Sequence, residues 1–223
     1  MDIIEAIKAR HSVRAYTDRV INPDIITELK KESAAINAES GLHMQIIENE
    51  PKAFGGLMSR YGKFENVRNY IAVVGRKGKD LDEKAGYFGE RLLLKAVQLG
   101  LDTCWVALTF SRGKSRCTVS DNEKLVCVIA FGYGRTHGAA HKSRPVDSLC
   151  TFSGKMPEWF DRGMQAAMLA PTAVNQQKFM FSLNGNRVKA VSTGGFYSKV
   201  DLGIVKYHFE TAAGKENFDW EQD

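Results

Sequence analysis

The basic segment RHSVR, near the N-terminus, carries side chains that are suited to binding a phosphate. Arg10 and Arg14 flank the hydroxyl group of Ser12, and one guanidinium group can donate two charge-assisted hydrogen bonds to a phosphate. A solvated basic turn beside a helix would have the same composition. The segment therefore indicates either an anion site or an ordinary turn, and by itself it does not distinguish them.

The segment APTAVNQQ, residues 170–177, offers a second set of polar groups. Because proline disfavours helical backbone in the residue before it, a helix should end at Ala170. Beyond that point, the hydroxyl group of Thr172 and the carboxamides of Asn175 and Gln177 provide both donors and acceptors for the polar edge of a heterocycle. An unremarkable loop between a helix and a strand is the alternative.

Helices and strands alternate along the chain, and they must position these two segments. Apolar residues along one helical face predict helices, and short apolar runs rich in β-branched residues predict strands. The predicted helices cover residues 2–9, a segment starting at Pro23, and residues 84–100, 158–169 and 201–213; the predicted strands cover residues 44–47, 70–75, 104–108 and 126–134, with a hairpin of residues 179–183 and 188–192 around Asn184-Gly185. This alternation predicts an α+β fold with a mixed, mainly antiparallel sheet flanked by helices.

The two polar segments lie in different parts of the chain. We expect an N-terminal half, residues 1–150, with RHSVR and a shorter C-terminal half, residues 151–223, with APTAVNQQ, packed as one globular unit. An alanine-rich helix end followed by a glutamine recurs 132 residues later, from 34 to 166 and from 45 to 177, and the spacing of Gly89 and Gly100 recurs between Gly203 and Gly214. Such a repeat predicts an internal duplication, with two similar halves forming a pseudo-dimer in one chain.

Composition and charge argue against several classes of protein. The chain has 223 residues, 43% hydrophobic and 26% charged, which is typical of a globular protein. No apolar stretch approaches the roughly 20 residues that cross a bilayer, and the N-terminus lacks a secretory signal. We therefore expect a cytoplasmic protein without membrane association. The net charge of +5 is spread over loops such as 76–79 and 112–116, without the interleaved aromatic residues of a nucleic-acid surface.

Cysteines and histidines predict neither a metal site nor a disulfide framework. The four cysteines form no CxxC pair. His137 and His141 are four residues apart, but they lie in a loop without a neighbouring thiol or carboxylate partner. We therefore expect them to be surface histidines.

The combination of segments resembles the FMN-dependent nitroreductase family. That family carries R-x-S-x-R near the N-terminus, an A-P-S-x-x-N-x-Q-P-W segment, a late L-G-L-x-T-x-W-I-G segment, and one or two basic residues near the end of the domain. The corresponding segments here are RHSVR, APTAVNQQ, LGLDTCW and HKSRPVD. The resemblance touches almost the whole chain and implies a nitroreductase-like fold.

The order of these segments differs from the family pattern. In the family, A-P-S-x-x-N-x-Q follows shortly after R-x-S-x-R, but here that position holds AESGLHMQ, residues 38–45, with His43 in place of the asparagine. The family typically builds each FMN site from two subunits. The resemblance therefore implies an internally duplicated, single-chain variant that binds one FMN with contacts from both halves.

The resemblance implies an oxidoreductase that passes reducing equivalents from NADH or NADPH to an organic acceptor such as a nitroaromatic or a quinone. The flavin carries the redox chemistry, so no catalytic side chain is implied, although Arg14 would support it by stabilising the reduced flavin anion. The implied cofactor-binding residues are Arg10, His11, Ser12, Arg14, Trp105, Val106, Ala107, Leu108, Lys142, Arg144, Pro171, Thr172, Ala173, Asn175 and Gln177.

Some positions depart from the family pattern. Lys178-Phe179 stands where Pro-Trp is common, Ala107 stands where glycine is usual, and the basic loop 111–120 has no counterpart. One alternative is a flavin-binding or flavin-carrier protein without significant turnover, with the ring face closed by Phe196, Tyr197 or the 111–120 loop. Another is a remnant that binds no flavin. We expect a monomer or a homodimer.

Overall fold

The computed structural model describes residues 1–221, and they group into two compact units. The first unit contains residues 9–81 and 91–140, and the second contains residues 1–8, 82–90 and the chain from 141 onward. Each unit is therefore built from separate stretches of sequence. The expected boundary at residue 150 between contiguous halves stays a prediction.

Helices and strands alternate as expected, and the α+β class is confirmed. The helices are α1 Ile3–Ala9, α2 Pro23–Ser40, α3 Leu57–Tyr61, α4 Leu81–Gln98, α5 Glu158–Ala167 and α6 Ser198–Ala213, with single 3₁₀ turns at Lys52–Phe54, Arg112–Lys114, Val146–Ser148, Ala173–Asn175 and Lys215–Asn217. The strands are β1 Gln45–Ile47, β2 Asn69–Arg76, β3 Asp102–Val106, β4 Glu123–Gly132, β5 Cys150–Phe152, β6 Phe179–Asn184, β7 Arg187–Ser192 and β8 Asp219–Trp220.

The first unit is built on a four-stranded sheet in the order β1-β2-β4-β3, and every neighbouring pair is antiparallel. Tyr70 and Ala72 of β2 belong to a cluster of buried apolar residues. Ile71 and Val73, which point to the other face, are also fully buried. Because both faces are covered, β2 reads as an uninterrupted apolar run rather than an alternating one.

Helix α2 of the first unit begins and ends at the signals that its sequence carries. The Asn22 side chain accepts a hydrogen bond of 2.9 Å from the Asp24 amide, and Pro23 occupies the first helical position. Gly41 ends the helix with a φ of +70°, a backbone conformation that glycine adopts without a steric cost. The short helix α3 has no sequence signal, because its five residues are too few to show a periodic apolar pattern.

The second unit contains its own four-stranded sheet, in the order β5-β6-β7-β8. The strand pairs β5/β6 and β7/β8 are parallel, and β6/β7 is an antiparallel hairpin. The expectation of one mixed sheet is therefore corrected to two sheets. Helix α6 packs on this sheet through Phe209, whose ring stacks on Phe181 with centroids 4.7 Å apart.

The hairpin turn lies one residue later than expected. Asn184 pairs with Arg187, so the two loop residues are Gly185 and Asn186 rather than Asn184 and Gly185. Gly185 has a φ of +63°, which suits a turn with glycine at the first central position. The register places Phe179 and Phe181 in the core, and a slip of one residue would move both rings to the opposite face.

None of the helices within residues 1–221 is both long enough and apolar enough to cross a membrane.

Candidate functional site

The RHSVR segment lies in the first unit, where its backbone is attached to strand β3. The Val13 amide donates a 3.0 Å hydrogen bond to the Thr103 carbonyl, and Ser12 forms an isolated parallel bridge with the same residue. The Ser12 side chain hydrogen-bonds Cys104. The structure therefore brings the basic segment together with the strand that leads into residues 105–108.

Charge accumulates beside this attachment point. Burial raises the pKa of the Cys104 thiol, and the charge of Arg14, the hydrogen bond from Ser12 and the charge of Arg10 oppose that rise. Both guanidinium groups are thus close enough to act on one buried atom. Arg10 is itself buried, at 5% exposure, whereas Arg14 is exposed and lies 6.0 Å from the centroid of the Phe64 ring.

A loop of the first unit closes over His11. Gly138 has a φ of +76°, and a methyl group built on it would lie 2.8 Å from the His11 Cβ, so the approach requires glycine. Asp102 fixes the loop by accepting from the Gly134 amide at 2.9 Å and by contacting the His137 ring at 3.0 Å. Among the residues that the structure describes, no group of three potential ligands could hold a metal ion.

Among residues 105–108, Ala107 is held by Arg112. The sequence alone assigns Arg112 to a solvated basic loop. The Arg112 guanidinium donates to the carbonyl groups of Ala107, at 3.3 Å, and Val126, at 2.9 Å, and also to that of Leu125. The pairing of β2 with β4 skips Val126, which marks a β-bulge. Arg112 therefore joins the chain that follows β3 to β4, at the bulge where the pairing of β4 with β2 is interrupted.

The APTAVNQQ segment lies in the second unit and has a strained backbone. Val174, Asn175 and Gln177 have φ values of 47°, 55° and 46°. Left-handed backbone at a non-glycine residue costs about 1–3 kcal/mol, and it is a genuine outlier for a β-branched residue such as valine. Such strain persists only where surrounding contacts impose it, and it clusters at functional sites.

One set of these contacts joins the strained loop to the basic segment at residues 141–144. Gln177 is buried, and its carboxamide accepts from the Arg144 amide at 2.8 Å and donates to the Lys142 carbonyl at 3.0 Å. The Asn175 carboxamide donates to the same carbonyl at 3.0 Å, and Thr172 Oγ1 accepts from the Gln177 amide at 3.1 Å. The structure therefore brings Lys142 and Arg144 together with the APTAVNQQ loop.

A second set of contacts comes from Asp201, in the first turn of α6. Its carboxylate accepts from the Ala173 amide at 3.0 and 3.1 Å and from Gln176 Nε2 at 2.7 Å. Gln176 Nε2 also donates to the Phe196 carbonyl at 3.0 Å. Asp201 is only 5% exposed, so its charge is held in a position with little access to water.

The implied cofactor residues thus form two groups, each assembled within its own unit. The group in the first unit comprises Arg10, His11, Ser12, Arg14, Trp105, Val106, Ala107 and Leu108, and the group in the second unit comprises Lys142, Arg144, Pro171, Thr172, Ala173, Asn175 and Gln177. The first unit also has a cavity of about 100 Å³ beside Arg19, Arg68 and Tyr133. It is smaller than the roughly 300 Å³ of the smallest usual ligand pockets, and no implied residue lines it.

A model of the family described as "Putative TM nitroreductase" matches residues 2–213. The chain belongs to this nitroreductase family. No curated protein sequence matches the chain significantly.

Solved structures share the nitroreductase fold. A "putative nitroreductase" from Thermotoga maritima is 24% identical, and the alignment covers 100% of this chain and 89% of that one with a TM-score of 0.71. A "putative nitroreductase in complex with FMN" from Desulfovibrio desulfuricans is 18% identical, with 66% and 94% coverage and a TM-score of 0.53. A "putative NADH dehydrogenase/NAD(P)H nitroreductase" from Parabacteroides distasonis is 22% identical, with 66% and 95% coverage and a TM-score of 0.52.

The sequence indicates the RHSVR and APTAVNQQ segments, but it does not indicate two residues that hold the chain near them: Arg112, which bonds to Ala107, and Asp201, which bonds to Ala173. Asp201 stands in the sequence as the first residue of a predicted helix, where an acid is expected to complement the helix dipole. Arg112 contributes there only to the charge of a basic loop. Each of them bonds to groups that are distant in sequence or in a different element, so no local pattern could have identified its role.

The stability of the protein should fall as the Asp201 carboxyl group ionises. Burial raises its pKa from 3.8 to about 6, against the opposing hydrogen bonds from Gln176 and Ala173. Since the folded state holds this proton more tightly than the unfolded state, the stabilisation is full below about pH 4 and is lost as pH rises through about 6. Relative to Asp201→Asn, the wild type should lose about 2–3 kcal/mol between pH 4 and pH 7.

Urea unfolding of both proteins at a series of pH values measures this difference. Subtracting the free energy of unfolding of Asp201→Asn from that of the wild type cancels the contributions of the other carboxyl groups, which titrate in the same pH range in both proteins. The exposed Asp161, replaced with asparagine, provides a control with the same change of charge, and its difference from the wild type should vary little with pH. A flat difference for Asp201→Asn would contradict the prediction.

Proposed function

We propose that the chain is an FMN-dependent oxidoreductase that passes reducing equivalents from NADH or NADPH to an organic acceptor such as a nitroaromatic or a quinone. The observation that carries this proposal is the strained loop at residues 172–177, which lies in the segment that the resemblance assigns to the flavin. Three left-handed non-glycine residues make the loop costly to maintain. That cost has a purpose if the loop presents polar groups to a ligand.

The donors in the first unit fit a phosphate group. We assign Arg10, Ser12 and Arg14 to the phosphate end and to the electronegative edge of FMN, with His11 beside them. Two guanidinium groups close to one buried thiol form a positively charged region, which suits the dianionic phosphate of FMN. The attachment of this segment to β3 would fix the distance between the phosphate contacts and the backbone of Trp105, Val106, Ala107 and Leu108.

The polar loop in the second unit fits the uncharged polar atoms of the same molecule. We assign Thr172, Ala173 and Asn175 to contacts with ring or ribityl atoms, with Pro171 packing beside them. Lys142 and Arg144 are exposed and would add positive charge. Gln177 is buried and bonded to residues 142 and 144, so its contribution to this site would include holding those residues in place.

When bound, FMN would supply the two-electron chemistry, in which it accepts a hydride from a nicotinamide and passes the electrons to the acceptor. The residues of the chain would bind it, orient it and stabilise its charge. The fixed positive charge of Arg14 favours a negatively charged ring. The Desulfovibrio protein was crystallised with FMN, and the Parabacteroides protein is described as an NAD(P)H enzyme; both descriptions support these choices of cofactor and electron donor.

We further propose that one FMN binds per chain, with contacts from both halves of an internally duplicated pseudo-dimer. The relatives from Desulfovibrio and Parabacteroides match only 66% of this chain but almost all of their own length. Additional sequence in this chain supports a single-chain variant, with halves divided near residue 150. A cytoplasmic location and a monomeric or homodimeric state complete the proposal.

The absorption spectrum of the purified protein, followed by titration of the apoprotein with FMN, tests this function. We expect flavin bands, about one FMN per chain, and NADPH oxidation in the presence of a quinone. Arg10→Ala and Asn175→Ala should each raise the dissociation constant of FMN at least about 10-fold, because each removes polar contacts to the ligand. Arg116→Ala and Asn186→Ala, which change exposed residues of the same types, serve as controls.

Each alternative predicts a different result. Uptake of FMN without NADPH oxidation would favour a flavin carrier. Two FMN molecules per chain would contradict the single-site arrangement. An effect of Arg10→Ala without an effect of Asn175→Ala would contradict the contribution of the APTAVNQQ segment. A protein that takes up no FMN would contradict the proposed function as a whole.

A further inference from the structure

Asp201 is the buried acidic side chain that bonds directly to the strained loop. It belongs to α6, whereas the groups that bond to it, the Ala173 amide and the Gln176 carboxamide, belong to the 3₁₀ turn and the residue after it. These two donors lie on either side of Val174 and Asn175, the first two residues of the loop with positive φ. Asp201 therefore fixes the chain on both sides of Val174 and Asn175, and Gln177, the third residue with positive φ, follows directly.

The hydrogen-bond pattern favours a carboxylate over a carboxamide at this position. The Ala173 amide donates to both Asp201 oxygens, and Gln176 Nε2 donates to Oδ2. An asparagine would therefore place its amide nitrogen against one of these two donors in either orientation. Gln176 cannot reverse its carboxamide without losing the bond of 3.0 Å that Nε2 donates to the Phe196 carbonyl. A carboxylate satisfies all three contacts, whereas a carboxamide leaves one donor facing another.

A negative charge at Asp201 lowers the stability of the folded protein, and the fold alone does not require it. Burial raises the pKa of the Asp201 carboxyl group, so the ionised form is disfavoured where it lies. A charged group that lowers stability and yet holds a strained segment is typical of functional sites, where activity and stability compete. The loop that Asp201 holds is the one that contains Thr172 and Asn175.

We propose that Asp201 is a positioning residue for the flavin, whose carboxylate holds residues 172–177 in the strained conformation that presents Thr172 and Asn175 to FMN. This inference rests on the proposed function. Without the carboxylate, the loop relaxes to ordinary backbone angles, and only a fraction of the molecules keeps the conformation that binds. The apparent dissociation constant rises by the inverse of that fraction.

The test compares Asp201→Ala, Asp201→Asn and the control Asp161→Asn by two independent measurements. Hydrogen exchange of the amides at residues 173–177 in the apoprotein reports the loop directly, and FMN titration reports binding. Asp201→Ala should raise the exchange rate of the Ala173 amide and the dissociation constant of FMN by about 10- to 100-fold. Asp201→Asn should give a smaller effect on both, and Asp161→Asn should match the wild type.

A rescue experiment separates positioning from general destabilisation. Asp201→Asn combined with Gln176→Glu exchanges donor and acceptor, so the new carboxamide on α6 would donate to a carboxylate while its oxygen accepts from the Ala173 amide. The double variant should bind FMN more tightly than either single variant, although it loses the bond to Phe196. If the contact between Asp201 and Gln176 does not hold the loop, the losses of FMN affinity in the two single variants should simply add in the double variant.

The outcomes distinguish this inference from the proposed function. If the wild type binds FMN and Asp201→Ala leaves exchange and affinity within about twofold of it, the positioning role is overturned and the function stands. Faster exchange with unchanged FMN affinity also overturns the role. If the wild type takes up no FMN, the proposed function fails, and the inference fails with it.

Discussion

Replacing Gly203 with alanine is expected to destabilise the protein by about 3 kcal/mol or more, because helices α4 and α6 touch at this residue through their backbones. A methyl group built on Gly203 would lie 2.0 Å from the Glu83 carbonyl oxygen and 2.6 Å from the Tyr87 nitrogen. The contact is reciprocal, since a methyl group on Gly86 would lie 2.0 Å from the Val200 carbonyl oxygen. The nearest atoms in both cases belong to the backbone, which cannot move aside as a flexible side chain can.

Separating the helices would also break the contacts around the two glycines. The Lys206 ammonium group pairs with the Glu83 carboxylate, and the Tyr87 hydroxyl group donates to Glu210. Both bonds join α4 to α6 and depend on the same close approach. Since packed interiors tolerate small shifts poorly, the loss should exceed that of an ordinary overpacked side chain.

Urea unfolding followed by circular dichroism measures the effect, with Gly113→Ala as the matched control. A methyl group on Gly113 would meet no atom within 4 Å, so this variant should stay within about 0.5 kcal/mol of the wild type. Gly86→Ala should resemble Gly203→Ala. A change below about 0.5 kcal/mol in Gly203→Ala would contradict the close approach of the two helices.

These two glycines illustrate what the sequence can and cannot predict. Apolar periodicity predicts α4 at residues 84–100, and the helix spans Leu81–Gln98, because the pattern depends on near neighbours. In the repeated glycine spacing, the counterpart of Gly203 is Gly89. The residue that faces α6 is Gly86, and which helices meet is decided by long-range packing that local patterns do not contain.

The candidate site divides in the same way. The residue types and their spacing predict the binding chemistry of RHSVR and of the APTAVNQQ loop, because that chemistry depends on residues that are close together in sequence. Nothing in the sequence indicates that Val174 and Gln177 have left-handed backbone, since neither residue type favours it. The two side chains that hold the loops, Arg112 and Asp201, bond to partners on other elements, and only the folded chain brings those partners to them.

A fully buried ion-pair contact joins three helices of the second unit. The ring of His208, on α6, lies 3.0 Å from the Ala166 carbonyl through Nδ1 and 2.8 Å from Glu90 Oε1 through Nε2. The side chains of His208 and Glu90 are both 0% exposed. A carbonyl oxygen can only accept, so Nδ1 must carry a hydrogen, and a single proton is then shared between Nε2 and Glu90.

His208→Leu is expected to lower the free energy of unfolding by about 3–5 kcal/mol, since it leaves the buried Glu90 carboxyl group without its imidazole partner. Glu90→Gln should cost at most about 1 kcal/mol. The glutamine carboxamide can donate to Nε2 of a neutral imidazole, which still donates from Nδ1 to Ala166. Both substitutions change the same contact, yet their expected costs differ because His208→Leu removes the imidazole partner of a buried carboxyl group, whereas Glu90→Gln keeps a bond to the imidazole.

Denaturant unfolding at pH 7 compares the stability of the two variants. The double variant His208→Leu with Glu90→Met separates the effect of burying the two side chains from the effect of the contact between them. Replacing a buried ion pair with apolar side chains of similar volume is often neutral, so the double variant should be more stable than His208→Leu alone. This recovery would be a coupling energy between the two positions. If His208→Leu lowered the free energy of unfolding no more than Glu90→Gln does, the hydrogen bond between His208 and Glu90 would not be the main source of stability here. The packing of the His208 ring alone would then account for its burial.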